Sequence, residues 1–197
     1  MLGIFSKTTD SNFIEAAGYG GLDFIILDKE HGSSDDVTIH NHVRAAKVAN
    51  LKSIVRVKSC DEGEIGSALD AGASGVQVPN IASADMARRA VAAARFSPLG
   101  SRGVCRFVKD ARFGAKDRNL YFEEANQKLV VLQVEGKEGI ENIDEILKVK
   151  GFDILFIGPY DLSQSLGIPG QVDDPRIFEL CKGLVGRAKD AGLELGV

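Results

Sequence analysis

Short apolar runs alternate with stretches of helical periodicity along the chain. The runs are LGIF (2–5), DFIILD (23–28), SIVRV (53–57), GVQVP (75–79), LVVLQVE (129–135) and DILFIGP (153–159). They are rich in β-branched residues and almost continuously apolar, which is typical of strands buried on both faces. The final residues, LELGV, begin a seventh strand.

Each run is followed by a stretch that is expected to be helical. The first opens at Asp10-Ser11, and the second runs from Ser34 with apolar positions at Val37, Ile39, Val43 and Ala46. The later ones are EIGSALDAGA, ADMARRAVAAARF, GIENIDEILKV and RIFELCKGLVGRAKDAG. Strictly alternating strands and helices predict right-handed βαβ units and a parallel sheet.

A (β/α)8 TIM barrel fits this pattern better than an open dinucleotide-binding sheet. The glycine-rich GxGxxG turn is missing after the first strand, and polar residues follow several strands, as in barrel active sites. No linker interrupts residues 1–197, so we expect a single (β/α) barrel domain. Because a barrel needs eight strands, we expect the last strand or strands and the C-terminal helices to lie in about 50–60 further residues.

Composition narrows the class of ligand. The net charge of −4 and the pI near 5.5 argue against a nucleic-acid partner. No apolar run is long enough to span a membrane, and no signal peptide is evident. Three cysteines without a CxxC motif predict reduced thiols and a cytoplasmic location. The expected partner is therefore a small molecule.

Two carboxylates follow consecutive strands. Gln133 and Glu135 are two residues apart and share a strand face with Leu129 and Val131, while Asp161 follows the next strand after a Gly-Pro corner. Carboxylates that converge at a barrel mouth need a shared proton or a cation, and a hard divalent metal would satisfy them. The alternative is that Asp161 merely caps the next helical turn.

Other polar residues also fall at strand ends. Arg56 points with Ile54 into the predicted interior, where it would form a structural bridge to a carboxylate or hold a substrate anion. His31 follows Asp28 and Glu30 after the second strand and is either a general base or a packed polar residue.

Several further polar residues have weaker support. We interpret His40 and His42 as surface residues, because residues two apart on a helix do not share a face. Lys58 could form a Schiff base but is better explained as a solvated loop lysine. The basic, glycine-rich loop at 95–120 could meet an anionic substrate, a second subunit or only solvent; its cationic residues include Arg102, Arg106, Lys109 and Arg112.

With these residues assembled, the chain resembles the HpcH/HpaI aldolase family, the class II, metal-dependent pyruvate aldolases related to citrate lyase. The resemblance covers nearly all 197 residues and rests on ordered motifs. These are ILDKEH, IVRV, the SRGV loop, LQVEGKEGIENIDEI and FIGPYDLSQSLG.

The resemblance implies a (β/α)8 barrel that uses Mg²⁺, Mn²⁺ or Co²⁺ held by Glu135 and Asp161. Pyruvate would chelate the metal and contact Gln133 and the backbone at Tyr160-Asp161. Arg56 would stabilise enolate charge and His31 would be the catalytic base. Asp70 would raise the basicity of His31, with Asp28 as a second acidic partner. A homo-oligomer, a trimer or a hexamer, is implied as well.

The implied reaction is cleavage or formation of a carbon–carbon bond in 4-hydroxy-2-oxo acids through a metal-bound pyruvate enolate, giving pyruvate and an aldehyde. An acyl-CoA ester lyase and an oxaloacetate-type decarboxylase are alternatives within the same chemistry. A non-catalytic barrel that binds a small anion or phosphate is the alternative from another class. The chain departs from the family pattern at Lys29, where glycine is usual, and at Tyr160, where a small residue is common.

Overall fold

The computed structural model describes residues 1–197 and shows seven parallel strands. The six predicted strands lie within two residues of their observed bounds, and the seventh also forms. The strands are β1 (Gly3–Ser6), β2 (Phe24–Asp28), β3 (Lys52–Arg56), β4 (Gly75–Val78), β5 (Leu129–Val134), β6 (Ile154–Ile157) and β7 (Glu194–Gly196).

Helices follow the strands as the alternation predicts. They are α1 (Ser11–Tyr19), α2 (Asp36–Val48), α3 (Glu62–Asp70), α4 (Ala84–Ala94), α5 (Arg118–Ala125), α6 (Lys137–Glu141), α7 (Ile143–Leu147), α8 (Pro159–Ser165) and α9 (Pro175–Asp190). Carboxylates cap the starts of α1, α2 and α3, where Asp10, Asp35 and Asp61 accept backbone N–H bonds. None of the helices combines the length and apolar character that a membrane span requires.

The sheet order is β1-β2-β3-β4-β5-β6-β7, and every neighbouring pair is parallel. Outward residues of the strands pack with the helices in the main core, for example Ile25, Val55 and Leu132. Inward residues form a second cluster centred on Ile26 and Ile54, together with Val131. The strands therefore have two apolar faces, which explains why their sequences show little alternation.

The sheet curls toward a barrel. The ring of Phe5 on β1 meets the ring of Phe156 on β6 edge-to-face, with centroids 5.9 Å apart. Strands that are five positions apart in the sheet can touch only if the sheet bends around the interior cluster. The observed architecture is thus a curled half-barrel of seven parallel strands with helices outside.

Three local expectations were wrong. His42 is buried rather than a surface residue, because its ring bonds the Thr8 carbonyl at 2.9 Å and the Ser11 hydroxyl at 3.1 Å. The single helix expected in GIENIDEILKV is split at Asn142, whose amide donates to the Ala82 carbonyl at 2.9 Å. The loop expected to reach residue 120 ends earlier, since α5 begins at Arg118.

Candidate active site

A cavity of about 520 Å³ opens at the carboxyl ends of the strands. Six of the eight predicted site residues line it: His31, Arg56, Gln133, Glu135, Tyr160 and Asp161. A seventh, Asp28, lies against Arg56. The topology gathers these residues because the carboxyl ends of parallel strands meet at one edge of a sheet.

Glu135 is an almost fully buried carboxylate at the end of β5. Its Oε1 accepts the backbone N–H of Asn80 at 2.9 Å, and its Oε2 accepts a hydrogen bond from the Gln133 amide. Burial raises the pKa of Glu135 to about 6, although these two hydrogen bonds oppose the shift. The nearby charges of Glu30 and Asp161 raise it further. The site therefore disfavours negative charge unless a cation is present.

The Gly-Pro corner after β6 makes room for Glu135 and presents Asp161. A Cβ on Gly158 would lie 2.3 Å from Glu135 Oε2, so only glycine permits this close approach. Pro159 starts α8, and Asp161 lies in its first turn. The alternative that Asp161 caps the helix is not borne out, since α8 has no side-chain cap.

Arg56 is held rigidly at the end of β3. Its Nε and Nη2 donate to the two oxygens of Asp28 at 2.9 and 2.7 Å, and its Nη1 lies 3.0 Å from Glu30 Oε2. The guanidinium also stacks on Phe5, 4.8 Å from the ring centroid. Burial opposes ionisation of Asp28, but hydrogen bonds from Arg56 and the His31 backbone outweigh it and hold the pKa of Asp28 below its usual value.

His31 projects into the cavity mouth with its side chain 54% exposed. Its Nε2 lies 3.9 Å from Glu30 Oε2. The Asp28 carboxylate accepts the backbone N–H of His31 at 3.2 Å as well as both hydrogen bonds from Arg56. Within the chain, then, Asp28 shapes the turn that carries His31, and Glu30 is the acidic side chain closest to the imidazole.

Asp70, the eighth predicted site residue, does not line the cavity. It ends α3, where it accepts a 2.5 Å hydrogen bond from Arg102, and it lines a groove with His40 on the outer face of α3. The same chain therefore does not bring Asp70 to His31. Lys29, the departure from the usual glycine, is also turned away from the cavity and pairs with Asp36 at 2.7 Å and Glu64 at 3.0 Å.

Comparisons with known proteins bear on this geometry. The family profile for HpcH/HpaI aldolase/citrate lyase matches residues 1–196. The chain belongs to this family. It is 34% identical over 198 aligned residues to a 2-keto-3-deoxy-L-rhamnonate aldolase of Salmonella gallinarum, covering 100% of this chain and 73% of the relative. The predicted family is thus confirmed.

Solved structures agree with this assignment. An HpcH/HpaI aldolase/citrate lyase family protein from Burkholderia cenocepacia superimposes with a TM-score of 0.92 at 32% identity, covering 99% of this chain and 78% of that one. The citrate synthase SbnG superimposes with a TM-score of 0.87 at 32% identity, covering 98% and 75%. This HpcH/HpaI chain is accordingly a carbon–carbon lyase of the metal-dependent, class II aldolase type.

The sequence interpretation of this HpcH/HpaI chain missed three residues near the site. Gln77 is fully buried on β4 and donates to Gln133, and Asn80 supplies the backbone N–H to Glu135. Lys7 lines the cavity, and its Nζ lies 3.8 Å from Asp28. The role of Gln77 could have been predicted, because it is a polar residue inside the apolar run GVQVP. The roles of Asn80 and Lys7 depend on loop geometry, which no pattern encodes.

The basic loop residues do not line the cavity. Arg102 pairs with Asp70, Arg106 donates to the Lys116 carbonyl at 2.7 Å, and Lys109 donates to the His40 carbonyl at 3.0 Å. Lys58 is exposed and also lies outside the cavity lining. None of these residues is therefore placed to contact a substrate in the cavity of its own chain.

A divalent metal fits the pair of Glu135 and Asp161. Both carboxylates line the cavity, and no group of three or more His, Cys, Asp or Glu side chains is arranged to hold a metal ion. The Asp161 carboxylate accepts no hydrogen bond from the protein, and the environment of Glu135 disfavours uncompensated charge. Two carboxylates that leave positions for water and substrate oxygens suit Mg²⁺ and similar hard ions.

The raised pKa of Glu135 predicts a stability cost in the metal-free protein. The pKa rises from 4.5 to about 6 on folding, so the ionised form destabilises the fold above pH 6. We expect the free energy of unfolding of Glu135→Gln, relative to that of the wild type, to be up to about 2 kcal/mol higher at pH 8 than near pH 4. Urea unfolding in EDTA at both pH values measures this, with exposed Glu123→Gln as the control. A relative stability that is the same at both pH values would contradict the burial argument.

Proposed function

We propose that this lyase cleaves or forms the C3–C4 bond of 4-hydroxy-2-oxo acids, with pyruvate and an aldehyde as the smaller partners. The observation that carries the proposal is the convergence of Glu135, Asp161, Arg56 and His31 on one cavity. The similarity to a 2-keto-3-deoxy-L-rhamnonate aldolase supports an oxo acid as the substrate class.

Each residue has a defined role in the cleavage direction. His31, through a water, removes the proton from the 4-hydroxyl, and the new C4 carbonyl forms as the C3–C4 bond breaks. The bonding pair passes to the 2-oxo group, giving an enolate whose charge Arg56 stabilises electrostatically. Protonation at C3 then gives pyruvate. Gln133 and the backbone at Tyr160-Asp161 hold the oxo acid in the cavity.

Glu135 and Asp161 would hold the metal, which is Mg²⁺, Mn²⁺ or Co²⁺ in the proposal. When bound, the ion supplies Lewis-acid stabilisation of negative charge on the substrate oxygens. Tyr160 is 69% exposed and lines the cavity next to these residues in sequence, so its side chain is not buried within the cavity.

A second candidate has support of its own. The 32% identity to a structure named as a citrate synthase supports the citrate lyase-related alternative, an acyl-CoA ester lyase, as the second candidate. Oxaloacetate decarboxylation remains the other alternative, because it passes through the same enolate. The Schiff-base and non-catalytic alternatives have less support, since Lys58 lies outside the cavity lining and the family is one of lyases.

We also propose a closed barrel, a homo-oligomeric assembly and a cytoplasmic location. The curled sheet belongs to a single domain with a closed (β/α)8 barrel, which the contact between Phe5 and Phe156 supports. A homo-oligomer, a trimer or hexamer, is included because Asp70 lies on an outer groove and could raise the basicity of His31 only from a second copy. Three free cysteines support a cytoplasmic location.

Pyruvate release tests the function directly. A panel of 4-hydroxy-2-oxo acids, CoA thioesters and oxaloacetate is assayed with Mg²⁺, Mn²⁺ or Co²⁺ and with EDTA. We expect metal-dependent pyruvate release from the hydroxy-oxo acids. Activity that survives EDTA and is destroyed by borohydride plus substrate would instead establish a Schiff-base enzyme.

Gly158→Ala is expected to weaken metal binding severely. The added methyl group would collide with Glu135 Oε2 at 2.3 Å and move the carboxylate. We predict at least a tenfold rise in the Mn²⁺ dissociation constant, which is about 1.4 kcal/mol. Titration calorimetry measures this, and Gly183→Ala on α9, where a Cβ meets nothing within 4 Å, is the matched control. Unchanged Mn²⁺ affinity would show that Glu135 is not a ligand.

A further inference from the structure

A chain of buried amides leads to Glu135 from the neighbouring strand. Gln77 lies on the inward face of β4, in register with Arg56 on β3 and Val131 on β5. Its Nε2 donates to Gln133 Oε1, and Gln133 Nε2 donates to Glu135 Oε2. Gln77 is fully buried and Gln133 is 2% exposed, so water does not compete for these hydrogen bonds.

The Glu135 carboxylate fixes the direction in which hydrogen bonds are donated along this row of amides. An ionised Glu135 can only accept hydrogen bonds, so Gln133 must turn its NH₂ group toward it. The Oε1 atom of Gln133 then faces β4 and requires a donor, which Gln77 provides. The Oε1 atom of Gln77 is buried without a protein partner, so the donating end of this amide is the one that makes the contact.

The terminal torsion of glutamine is soft, so the amide of Gln133 would rotate unless both of its ends were held. Gln133 also lines the cavity, where its remaining N–H is available to an oxo acid. We propose that Gln77 is a positioning residue, which locks the amide of Gln133 so that its NH₂ group serves both Glu135 and the substrate. This inference rests on the proposed function, since Gln133 is the substrate contact there.

The alternative is that Gln77 only fills space beneath the cavity. Two variants distinguish this packing role from the positioning role. If shape alone matters, Gln77→Met, which keeps the length of the side chain, is the milder change, whereas Gln77→Leu alters the shape. If direction matters, both variants leave Gln133 Oε1 without a donor, because neither methionine nor leucine can donate a hydrogen bond. The positioning role therefore predicts that Gln77→Met is as damaging as Gln77→Leu.

Oxalate, which mimics a pyruvate enolate, is titrated into the Mn²⁺-loaded protein at pH 8. We expect Gln77→Leu and Gln77→Met each to weaken oxalate binding roughly 5- to 20-fold. Wild-type oxalate affinity in Gln77→Met, with the loss confined to Gln77→Leu, would overturn the inference. Wild-type protein that binds neither Mn²⁺ nor oxalate would instead contradict the proposed function.

A double-mutant cycle keeps the test decisive if a single variant folds poorly. In a Gln133→Ala background there is no amide left to orient, so adding Gln77→Leu should change oxalate affinity by less than twofold. Thermal unfolding of each variant verifies that it is folded. A full, additive loss of affinity in the double variant would show that Gln77 acts by packing.

Discussion

Glu135→Gln is expected to lower kcat/KM for metal-dependent cleavage by at least about 10³-fold, because Lewis-acid stabilisation of the enolate is worth several kcal/mol. The glutamine can still accept the Asn80 N–H, so the local backbone should be unchanged. Pyruvate release under saturating Mn²⁺ measures the loss.

Thermal unfolding of the same variant without metal verifies that its inactivity does not come from unfolding. Exposed Glu123→Gln is the control for removal of a carboxylate and should retain full activity. Asp161→Asn should show a comparable loss, since Asp161 is the other proposed ligand. Wild-type kcat/KM in Glu135→Gln would remove Glu135 from the metal site.

Arg56→Lys is expected to reduce kcat by roughly 10²- to 10³-fold with a smaller change in KM. Lysine keeps the charge but cannot reproduce the two parallel hydrogen bonds to Asp28 at 2.9 and 2.7 Å, so the cation loses its fixed position. The enolate, which carries more negative charge than the ground state, loses the most stabilisation. Steady-state kinetics gives the separation of kcat from KM.

Arg95→Lys provides a matched control for this substitution. Arg95 is another buried arginine, but it lies at the amino ends of β5 and β6, where it donates to the Gly151 carbonyl at 3.0 Å and meets Asp153 at 3.4 Å. Its replacement should lower the melting temperature and leave kcat unchanged. If the two variants lose stability equally and neither loses kcat, Arg56 is a structural bridge only.

Most of the scaffold was predictable because strands buried on both faces have a distinctive composition. The runs around Ile25, Val55 and Leu132 are apolar on the helix side and on the interior side alike, and this pattern located every strand within two residues. The positions of Glu135 and Arg56 followed from two-residue periodicity within those strands.

The features that could not be predicted depend on tertiary contacts, which local sequence patterns do not encode. His42 is buried because the loop before α1 and the first residue of α1 supply its hydrogen-bond partners. The helix near Asn142 is interrupted where the Asn142 amide donates to the carbonyl of Ala82, 60 residues away. The placement of Asp70 with Arg102 depends on how the 95–117 segment folds over α3. Gln77 could have been noticed, since an amide inside a buried strand must find partners.

Crystals soaked with Mn²⁺ and oxalate would give the most direct measurement of how this site works. Anomalous scattering should place one Mn²⁺ between the carboxylates of residues 135 and 161, with oxalate completing its coordination and Arg56 alongside. A strong manganese peak bound elsewhere, with these two side chains free of metal, would contradict the two-carboxylate site on which the proposed chemistry depends.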